Sequence, residues 1–140
     1  IYGPHDKINP DKSHIFAATL IKILNTQDGK ITIWGDGSDE RDLLYISDLV
    51  DFIYLSLNQK ENFSLYNVGS NSLISVKELA IVISKIIDKD IILEYDITKP
   101  SFKNKYRLNC EKAHSELKWE PKVNLNEGIN LTIKWLKEEF

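Results

Sequence analysis

The chain has 140 residues, and its 18 Lys and Arg against 21 Asp and Glu give a formal net charge of -3 at pH 7. That length allows one domain of ordinary size, and a hydrophobic share of 42% is enough for a core, which argues against disorder. The excess of acidic residues argues against a nucleic-acid-binding surface. No apolar run approaches the roughly 18 residues of a membrane span, so no transmembrane helix is predicted. A single cysteine cannot form an internal disulfide, which fits the reducing cytoplasm.

The start of the chain predicts that a further segment precedes it. There is no Met, and Ile1-Tyr2-Gly3-Pro4 has the pattern of a strand that runs into a turn. No repeat or flexible linker interrupts the rest, so residues 1–140 are expected to form a single domain that is part of a longer chain.

The first helix is expected after a loop over residues 3–12, which is rich in Gly, Pro, Asn and Asp. Ser13 can cap this helix, and Asp28-Gly29 can end it. Its apolar face is predicted to hold Ile15, Phe16, Ala18, Thr19, Ile23 and Leu24.

Two short strands and a second helix are expected next. β-Branched and aromatic residues predict strands over residues 31–34 and 43–46, with a turn at residues 35–37 between them. Ser47-Asp48 is expected to begin a helix, because an acidic first turn complements the helix dipole. The inward residues of this helix are predicted to be Leu49, Phe52, Ile53 and Leu57.

The same alternation continues in the second half of the chain. Residues 65–68 and 91–95 are predicted strands. Ser75 and Glu78 have the spacing of a capping box at the start of a helix. The inward residues of that helix are predicted to be Leu79, Val82, Ile83 and Ile86.

Two helices are expected near the C-terminal end. The first follows Asn109 and ends near Trp119, with Pro121 as a stop, and Asn124 and Glu127 can cap the second. The inner face of the last helix is predicted to hold Ile129, Ile133, Leu136 and Phe140. Alternating helices and short strands indicate an α/β class, with too few strands for a complete doubly wound sheet.

Four ionisable side chains lie close in sequence near the N-terminus. They are His5, Asp6, Asp11 and His14. Imidazole and carboxylate groups bind metals, but these spacings match no standard ligand pattern, so no metal site is predicted. His14, at the start of a helix, suits a general acid beside an anionic substrate, and the alternative is a solvated surface histidine.

Two basic residues are candidates for binding an anion. Lys22 follows His14 by two four-residue steps of the helix, so both side chains can border one cleft. Arg41 is the only basic residue between Lys30 and Lys60, and its guanidinium group either pairs with neighbouring acids or grips a diphosphate. No G-x-x-x-x-G-K or G-x-G-x-x-G motif occurs, so no cofactor-binding residue is predicted in this chain.

In their order along the chain, these segments resemble the C-terminal, substrate-binding part of the NAD(P)-dependent nucleotide-sugar epimerase/dehydratase family, the extended short-chain dehydrogenase/reductases. The motifs that carry the resemblance are Tyr2-Gly-Pro4, Trp34-Gly-Asp-Gly37, Arg41-Asp-Leu-Leu-Tyr45, Tyr66-Asn-Val-Gly69 and Leu117-Lys-Trp119-Glu-Pro121. The resemblance implies the C-terminal portion of a Rossmann-type α/β fold, with the cofactor-binding half missing.

Within that family, Gly3-Pro-His5-Asp6 and Ser13-His14-Ile15 are similar to the GDP-L-fucose synthase group. In that group the histidine after the serine is the acid of epimerisation, a role that falls on His14 here. The resemblance places an arginine that holds the diphosphate at Arg41. The predicted substrate-binding residues are Lys22, Trp34, Arg41, Lys105 and Arg107.

The implied activity is NADPH-dependent 3,5-epimerisation and 4-reduction of a GDP-4-keto-6-deoxy-hexose by a cytoplasmic homodimer. NADP(H) or NAD(H) is expected to bind mainly to the missing N-terminal part, so residues 1–140 alone are expected to be inactive. Two alternatives remain open at this point. One is a UDP- or dTDP-hexose 4-epimerase or 4,6-dehydratase of the same family, and the other is a non-catalytic binding remnant.

Overall fold

Helices and short strands alternate along the chain, as the hydrophobic periodicity predicts. The computed structural model describes residues 1–9, 13–101 and 105–139, and two positions used above, Asp11 and Phe140, lie outside these residues. In chain order the elements are α1 (Ile15–Asn25), β1 (Lys30–Trp34), β2 (Glu40–Arg41), α2 (Ile46–Ser56), β3 (Ile74–Ser75), α3 (Val76–Ile86), β4 (Ile92–Asp96), α4 (Glu111–Leu117) and α5 (Leu125–Glu139).

The strands form two small sheets. Strands β1 and β4 pair in parallel, from Lys30 opposite Ile92 to Trp34 opposite Asp96. Strands β2 and β3 pair antiparallel, which places Arg41 opposite Ile74. Within the described residues these are the only sheets, so the expected α/β class with an incomplete sheet is confirmed there.

The main core lies where α3 packs between α1 and α5, and it includes Ile31 and Ile33 of strand β1. Its innermost apolar residues include Phe16, Leu20, Ile23, Ile31, Leu79, Ile83 and Ile129. A second cluster forms around Trp119, whose indole nitrogen donates a hydrogen bond to the Asp48 carbonyl oxygen at 2.9 Å. This bond ties the segment after α4 to α2 and satisfies a polar group that burial would otherwise leave unpaired.

The predicted capping signals of two helices are confirmed. The Ser75 hydroxyl accepts a hydrogen bond from the Glu78 backbone N–H, and the Glu78 carboxylate accepts one from the Ser75 N–H at 3.0 Å. At α5, the Asn124 side chain accepts a bond from the Glu127 N–H at 3.0 Å. The predicted strands at 31–34 and 91–95 correspond to β1 and β4 within one residue.

The start of α1 differs from the prediction by one residue. Its N-cap is His14, because the Ser13 hydroxyl donates instead to the Asn9 carbonyl oxygen at 2.5 Å. On the buried face the alanine is Ala17, and Ala18 is only half-buried.

Two predicted strands are not formed. Over residues 43–46, Tyr45 makes a single bridge with Tyr2, and Ile46 already begins α2. Residues 65–68 adopt no regular structure, because no other strand of the described chain pairs with them. Lys112 Nζ donates to the Leu65 carbonyl oxygen at 3.2 Å, and Asn67 Nδ2 donates to a backbone oxygen of the loop before α4 at 3.2 Å.

The inward face of α2 is also rotated relative to the prediction. Leu49, Phe52 and Leu55 pack against the Trp119 cluster, whereas Ile53 and Leu57 are 50% and 75% exposed. Across the described residues, none of the helices has the length and apolarity needed to cross a bilayer.

Candidate functional site

A cavity of about 770 Å³ opens beside the N-terminal end of α1. Three stretches line it: residues 1–6, residues 13–16, and residues 41–43 together with Ile46. The cavity therefore contains two of the residues predicted from the sequence, His14 and Arg41, which are far apart in the chain.

The backbone of residues 1–6 is held in place by the start of α2. The Tyr2 N–H donates to the Leu44 carbonyl oxygen at 3.0 Å, and the Ile46 N–H donates to the Tyr2 carbonyl oxygen at 2.9 Å. Gly3 has a φ of +139°, and a Cβ there would lie 2.7 Å from the Ile46 Cγ2 atom. Only glycine allows the loop to approach α2 so closely, which explains the Tyr-Gly-Pro motif.

His14 is an exposed residue of the cavity lining. As the N-cap residue it has an extended backbone, and its carbonyl oxygen accepts the first helical bond, from the Ala18 N–H at 2.9 Å. Its side chain makes no capping hydrogen bond and is exposed. The ring is thus available to a ligand at a helix N-terminus, where the backbone dipole also favours an anion.

Arg41 is held by its acidic neighbours and still reaches the cavity. Its Nη1 donates to the Glu40 carbonyl oxygen at 2.8 Å, and its Nη2 lies 3.4 Å from Asp39 Oδ2. The side chain is 37% exposed. A guanidinium group has five N–H donors, so these contacts leave donors for a further anion. Arg41 can therefore form the ion pair with Asp39 and still contact an anion in the cavity, so the two interpretations of its role do not exclude each other.

Asp42 is a structural residue of the site that the sequence argument missed. Its Oδ1 accepts hydrogen bonds from the Ser70 N–H and the Ser70 hydroxyl, both at 2.6 Å. A Cβ at Gly69 would lie 2.6 Å from Asp42 Oδ2, so glycine is needed at that position. The sequence did contain a signal for this role. Asp42 belongs to the Arg-Asp pair, and its carboxylate connects that pair to the Asn-Val-Gly motif.

Lys105 does not line the cavity. Its Nζ lies 2.7 Å from Glu40 Oε1, and this hydrogen bond raises the pKa of Lys105, with the negative charges of Glu40 and Glu78 adding to the effect. Arg107, on the same segment, is exposed and also lies outside the cavity lining.

Lys22 and Trp34 lie elsewhere. Lys22 Nζ donates to the Thr32 carbonyl oxygen of β1 at 3.0 Å, and partial burial lowers the pKa of Lys22. Trp34 is 57% exposed at the end of β1, with Lys99 Nζ 5.7 Å from its ring centroid. The structure therefore brings His14 and Arg41 to one cavity, and Lys22 and Trp34 are not among its lining residues.

The turn after β1 does not have the geometry of a dinucleotide-binding loop. The glycine-containing turn after β1 leads into β2 rather than a helix, and Cβ atoms at Gly35 and Gly37 would meet Ser101 and Tyr95. A pyrophosphate cradle needs open backbone N–H groups at a helix N-terminus. Among residues 1–9, 13–101 and 105–139 there is also no group of three or more His, Cys, Asp and Glu that could hold a metal ion.

Comparison with known proteins agrees with the family resemblance of the sequence motifs. A model of the NAD dependent epimerase/dehydratase family matches residues 1–69. GDP-L-fucose synthase 1 of Arabidopsis thaliana is 29% identical over 138 residues, which cover 96% of this chain and 42% of that protein. The chain spans less than half the length of the curated relatives it matches.

Two crystal structures show the same fold over nearly the whole chain. A UDP-glucose 4-epimerase from Thermotoga maritima, solved with UDP-glucose, superimposes with a TM-score of 0.87 at 28% identity and covers 99% of this chain and 43% of that one. A dTDP-glucose 4,6-dehydratase from Bacillus anthracis, solved in complex with NAD, gives a TM-score of 0.78 at 26% identity, with 98% and 42% coverage. These structures carry the α/β arrangement found here as one part of a longer fold.

Proposed function

The chain belongs to the NAD-dependent epimerase/dehydratase family, and from that premise we propose that it supplies the sugar-nucleotide-binding part of an NAD(P)-dependent enzyme. The proposed substrate is a GDP-4-keto-6-deoxy-hexose, which the enzyme epimerises at C3 and C5 and reduces at C4. The observation that carries this proposal is the presence of His14 and Arg41 in one cavity of about 770 Å³. A cavity of that size accommodates a small-molecule ligand.

In this proposal His14 delivers a proton to the substrate carbon during epimerisation. The side chain makes no capping bond and is exposed, so its proton can reach a ligand in the cavity. Inversion at carbon needs a base on one face and an acid on the other, and a positioned histidine is a suitable acid near neutral pH. In this proposal the chain supplies the acid.

Arg41 is proposed to hold the diphosphate. It is partly exposed, keeps unused N–H donors, and lines the cavity together with residues of the α1 N-terminus. Binding the diphosphate at a fixed point orients the sugar ring toward His14, so that remote binding energy is used for positioning. Lys22, Trp34, Lys105 and Arg107 stay in the proposal as further substrate contacts that lie outside the cavity lining.

NAD(P) supplies the hydride chemistry of such an enzyme when it is bound. The turn at Gly35 and Gly37 is closed against side chains and does not open a helix, so these residues do not fit a dinucleotide. Accordingly, the roles proposed for this chain are limited to sugar-nucleotide binding and proton delivery.

A second candidate is a UDP- or dTDP-hexose 4-epimerase or 4,6-dehydratase. It is supported by the similarity to the Thermotoga maritima epimerase and the Bacillus anthracis dehydratase at 28% and 26% identity. The Arg41-Asp42 pair is also closer to the pattern of these enzymes than to the fucose synthase group. The two candidates differ in the nucleotide that the chain binds and in the need for an acid at His14.

Calorimetric titration of the purified chain with GDP, UDP and dTDP tests both candidates. We expect GDP to bind at least tenfold more tightly than UDP or dTDP, and Arg41→Ala to weaken the binding of all three. Preference for UDP or dTDP would favour the second candidate. If none of the three binds at millimolar concentration, the chain is not a sugar-nucleotide-binding unit.

Nuclear magnetic resonance of the histidine side chains gives an independent readout. In a titration with GDP-mannose we expect the His14 ring signals to shift, because His14 lines the cavity. His114 is a matched control, since it is an exposed histidine on α4 outside this cavity. Shifts at His114 without shifts at His14 would place the ligand elsewhere.

A further inference from the structure

The carboxylate of Asp39 connects Arg41 to the segment that follows β4. Its Oδ2 atom lies 3.4 Å from Arg41 Nη2, and its Oδ1 atom accepts a hydrogen bond from the Ser101 hydroxyl group at 2.9 Å. Asp39 directly precedes β2, and side chains two residues apart in an extended chain lie on the same side. The contact with Arg41 is therefore local, whereas the contact with Ser101 depends on the fold.

Asp39 is the more ordered member of the ion pair. Its carbonyl oxygen accepts a hydrogen bond at 3.0 Å from the N–H of Val76, the first residue of α3. Its side chain is 13% exposed, whereas that of Arg41 is 37% exposed. Ordering a long, partly exposed arginine costs conformational entropy, so a buried and anchored partner determines which rotamer is populated.

Ser101 is packed against the glycine turn that follows β1. Gly35 has a φ of +68°, and a Cβ at this position would overlap the Cβ atom of Ser101. The Gly35 N–H donates to the Asp96 carbonyl oxygen at 2.9 Å, which holds the turn to the end of β4. Glycine thus lets Ser101 come close to the turn, from which its hydroxyl group reaches Asp39.

Arg41 keeps donors for a ligand in this arrangement. Its Nη1 donates to the Glu40 carbonyl oxygen at 2.8 Å, so both terminal nitrogens of the guanidinium group have a partner on the protein. These contacts use two of the five N–H donors and fix the plane of the group. Because Arg41 lines the cavity, the remaining donors are presented there in one orientation.

We propose that Asp39 is a positioning residue, which together with Ser101 fixes the orientation of the Arg41 guanidinium group before a ligand enters the cavity. This inference rests on the proposed function, in which Arg41 binds the substrate, and it identifies what orders that side chain in the free protein. Asp39 itself does not touch the ligand. Its effect on affinity comes from preorganisation, because a side chain that is already ordered loses less entropy on binding.

Orientation and charge predict opposite effects of substitutions at Asp39. If this carboxylate only repelled an anionic ligand, Asp39→Ala would tighten GDP binding. If it orients Arg41, Asp39→Ala should weaken GDP binding about three- to fivefold, the scale of one partly exposed ion contact. Asp39→Asn keeps an oxygen for Arg41 and an N–H that the Ser101 hydroxyl oxygen can accept, so GDP affinity should stay within about twofold or rise.

Ser101→Ala tests the same role without a change of charge. Calorimetric titrations with GDP, and with inorganic pyrophosphate as a probe without base or sugar, should show binding that is about two- to threefold weaker. In the Asp39→Ala background Ser101→Ala should have no further effect. Ser38→Ala is the matched control, because the Ser38 hydroxyl group donates to Asp36 in the neighbouring turn.

Nuclear magnetic resonance relaxation of the Arg41 Nε–H group measures its order without a ligand. We expect greater mobility in Asp39→Ala and Ser101→Ala than in the wild type, Asp39→Asn or Ser38→Ala. A merely structural role would lower the free energy of unfolding and leave this mobility unchanged, which would overturn the inference.

The binding data separate this inference from the proposed function. Tighter GDP binding by Asp39→Ala, or an equal loss from Ser101→Ala in both backgrounds, would overturn the positioning role. Unchanged GDP binding in Asp39→Ala, with binding still weakened by Arg41→Ala, overturns this inference and leaves the proposed function standing. A wild-type chain that binds no GDP overturns both.

Discussion

The side chain of Tyr2 occupies the space in which a side chain at Gly128 would begin. A Cβ at Gly128 would overlap the Tyr2 hydroxyl group and would lie 2.8 Å from the Cζ atom of its ring. Tyr2 is 2% exposed, and burial raises the pKa of its hydroxyl group. This contact joins the loop that lines the candidate site to α5, so the C-terminal helix holds the cavity in shape.

Gly128→Ala is expected to destabilise the chain by about 1–3 kcal/mol, the usual cost of forcing extra volume into a packed site. Alanine favours a helix over glycine by about 1 kcal/mol, so steric overlap has to outweigh that gain. Urea unfolding measures the difference, and Asn126→Ala, at an exposed position of the same helix, is the control. A stabilised Gly128→Ala variant would show that Tyr2 can move away without cost.

The capping box of α3 predicts a stability that depends on pH. Ser75→Ala should cost about 1 kcal/mol at neutral pH, because it removes the acceptor for the Glu78 N–H. Bonds from the Ser75 hydroxyl and N–H lower the pKa of Glu78 in the folded state. Because the pKa of Glu78 is lower in the folded state than in the unfolded state, its ionisation stabilises the fold at pH values above the pKa of the unfolded state. This stabilisation is lost as the pH falls through the pKa of Glu78 in the folded state.

Unfolding of the wild type and of Glu78→Gln at a series of pH values checks this linkage. The glutamine keeps a side-chain oxygen for the box but does not titrate, so the stability difference should shrink on acidification from about pH 7 to pH 3. A difference that stays constant over this range would mean that Glu78 contributes nothing through its charge.

The sequence predicts those parts of the fold that local chemistry determines. The capping box at Ser75 and the β-branched runs of β1 and β4 are each encoded within a few adjacent residues. The segments 43–46 and 65–68 have strand-like composition, but a strand forms only where another strand pairs with it. That choice depends on distant parts of the chain, so periodicity alone does not settle it.

In the candidate site, too, the sequence identifies some residues, while other contacts depend on the fold. His14 and Arg41 were identified from motifs, and the fold brings them to one cavity. The contact between Glu40 and Lys105 depends on how one flexible side chain is held, which sequence spacing does not specify. Lys22 shares a helix with His14, yet its ammonium group turns to the Thr32 carbonyl oxygen of β1.

The two faces of α2 should respond differently to substitution. Phe52 packs edge-on against Tyr66 and Trp119, with ring centroids 5.7 and 5.6 Å away. Phe52→Ala should therefore cost about 2–4 kcal/mol, near the lower end for a large core residue because Phe52 is only half-buried. Leu57→Ala, at a position that is 75% exposed, should change stability by less than about 0.5 kcal/mol.

Thermal or urea unfolding of both variants measures how much stability each substitution removes and so distinguishes the buried face of α2 from the exposed face. Equal losses for Phe52→Ala and Leu57→Ala would mean that Leu57 is covered in solution, for example by association of α2 with another surface. The concentration dependence of the Leu57→Ala unfolding curve would then identify that association, because a dimer becomes more stable as protein concentration rises.

His14→Asn separates proton delivery from binding in an enzyme that joins this chain to a cofactor-binding part. Asparagine fills similar space but does not act as an acid near neutral pH, so formation of the inverted sugar should fall about 10²- to 10⁴-fold. GDP affinity should stay within a few fold, because Arg41 carries the proposed diphosphate contact. Product stereochemistry, read by nuclear magnetic resonance, is the measurement, and His114→Asn on α4 is the matched control. If His14→Asn still gives the inverted product at the wild-type rate, the proton comes from another group, and a 4-epimerase or 4,6-dehydratase becomes the better assignment.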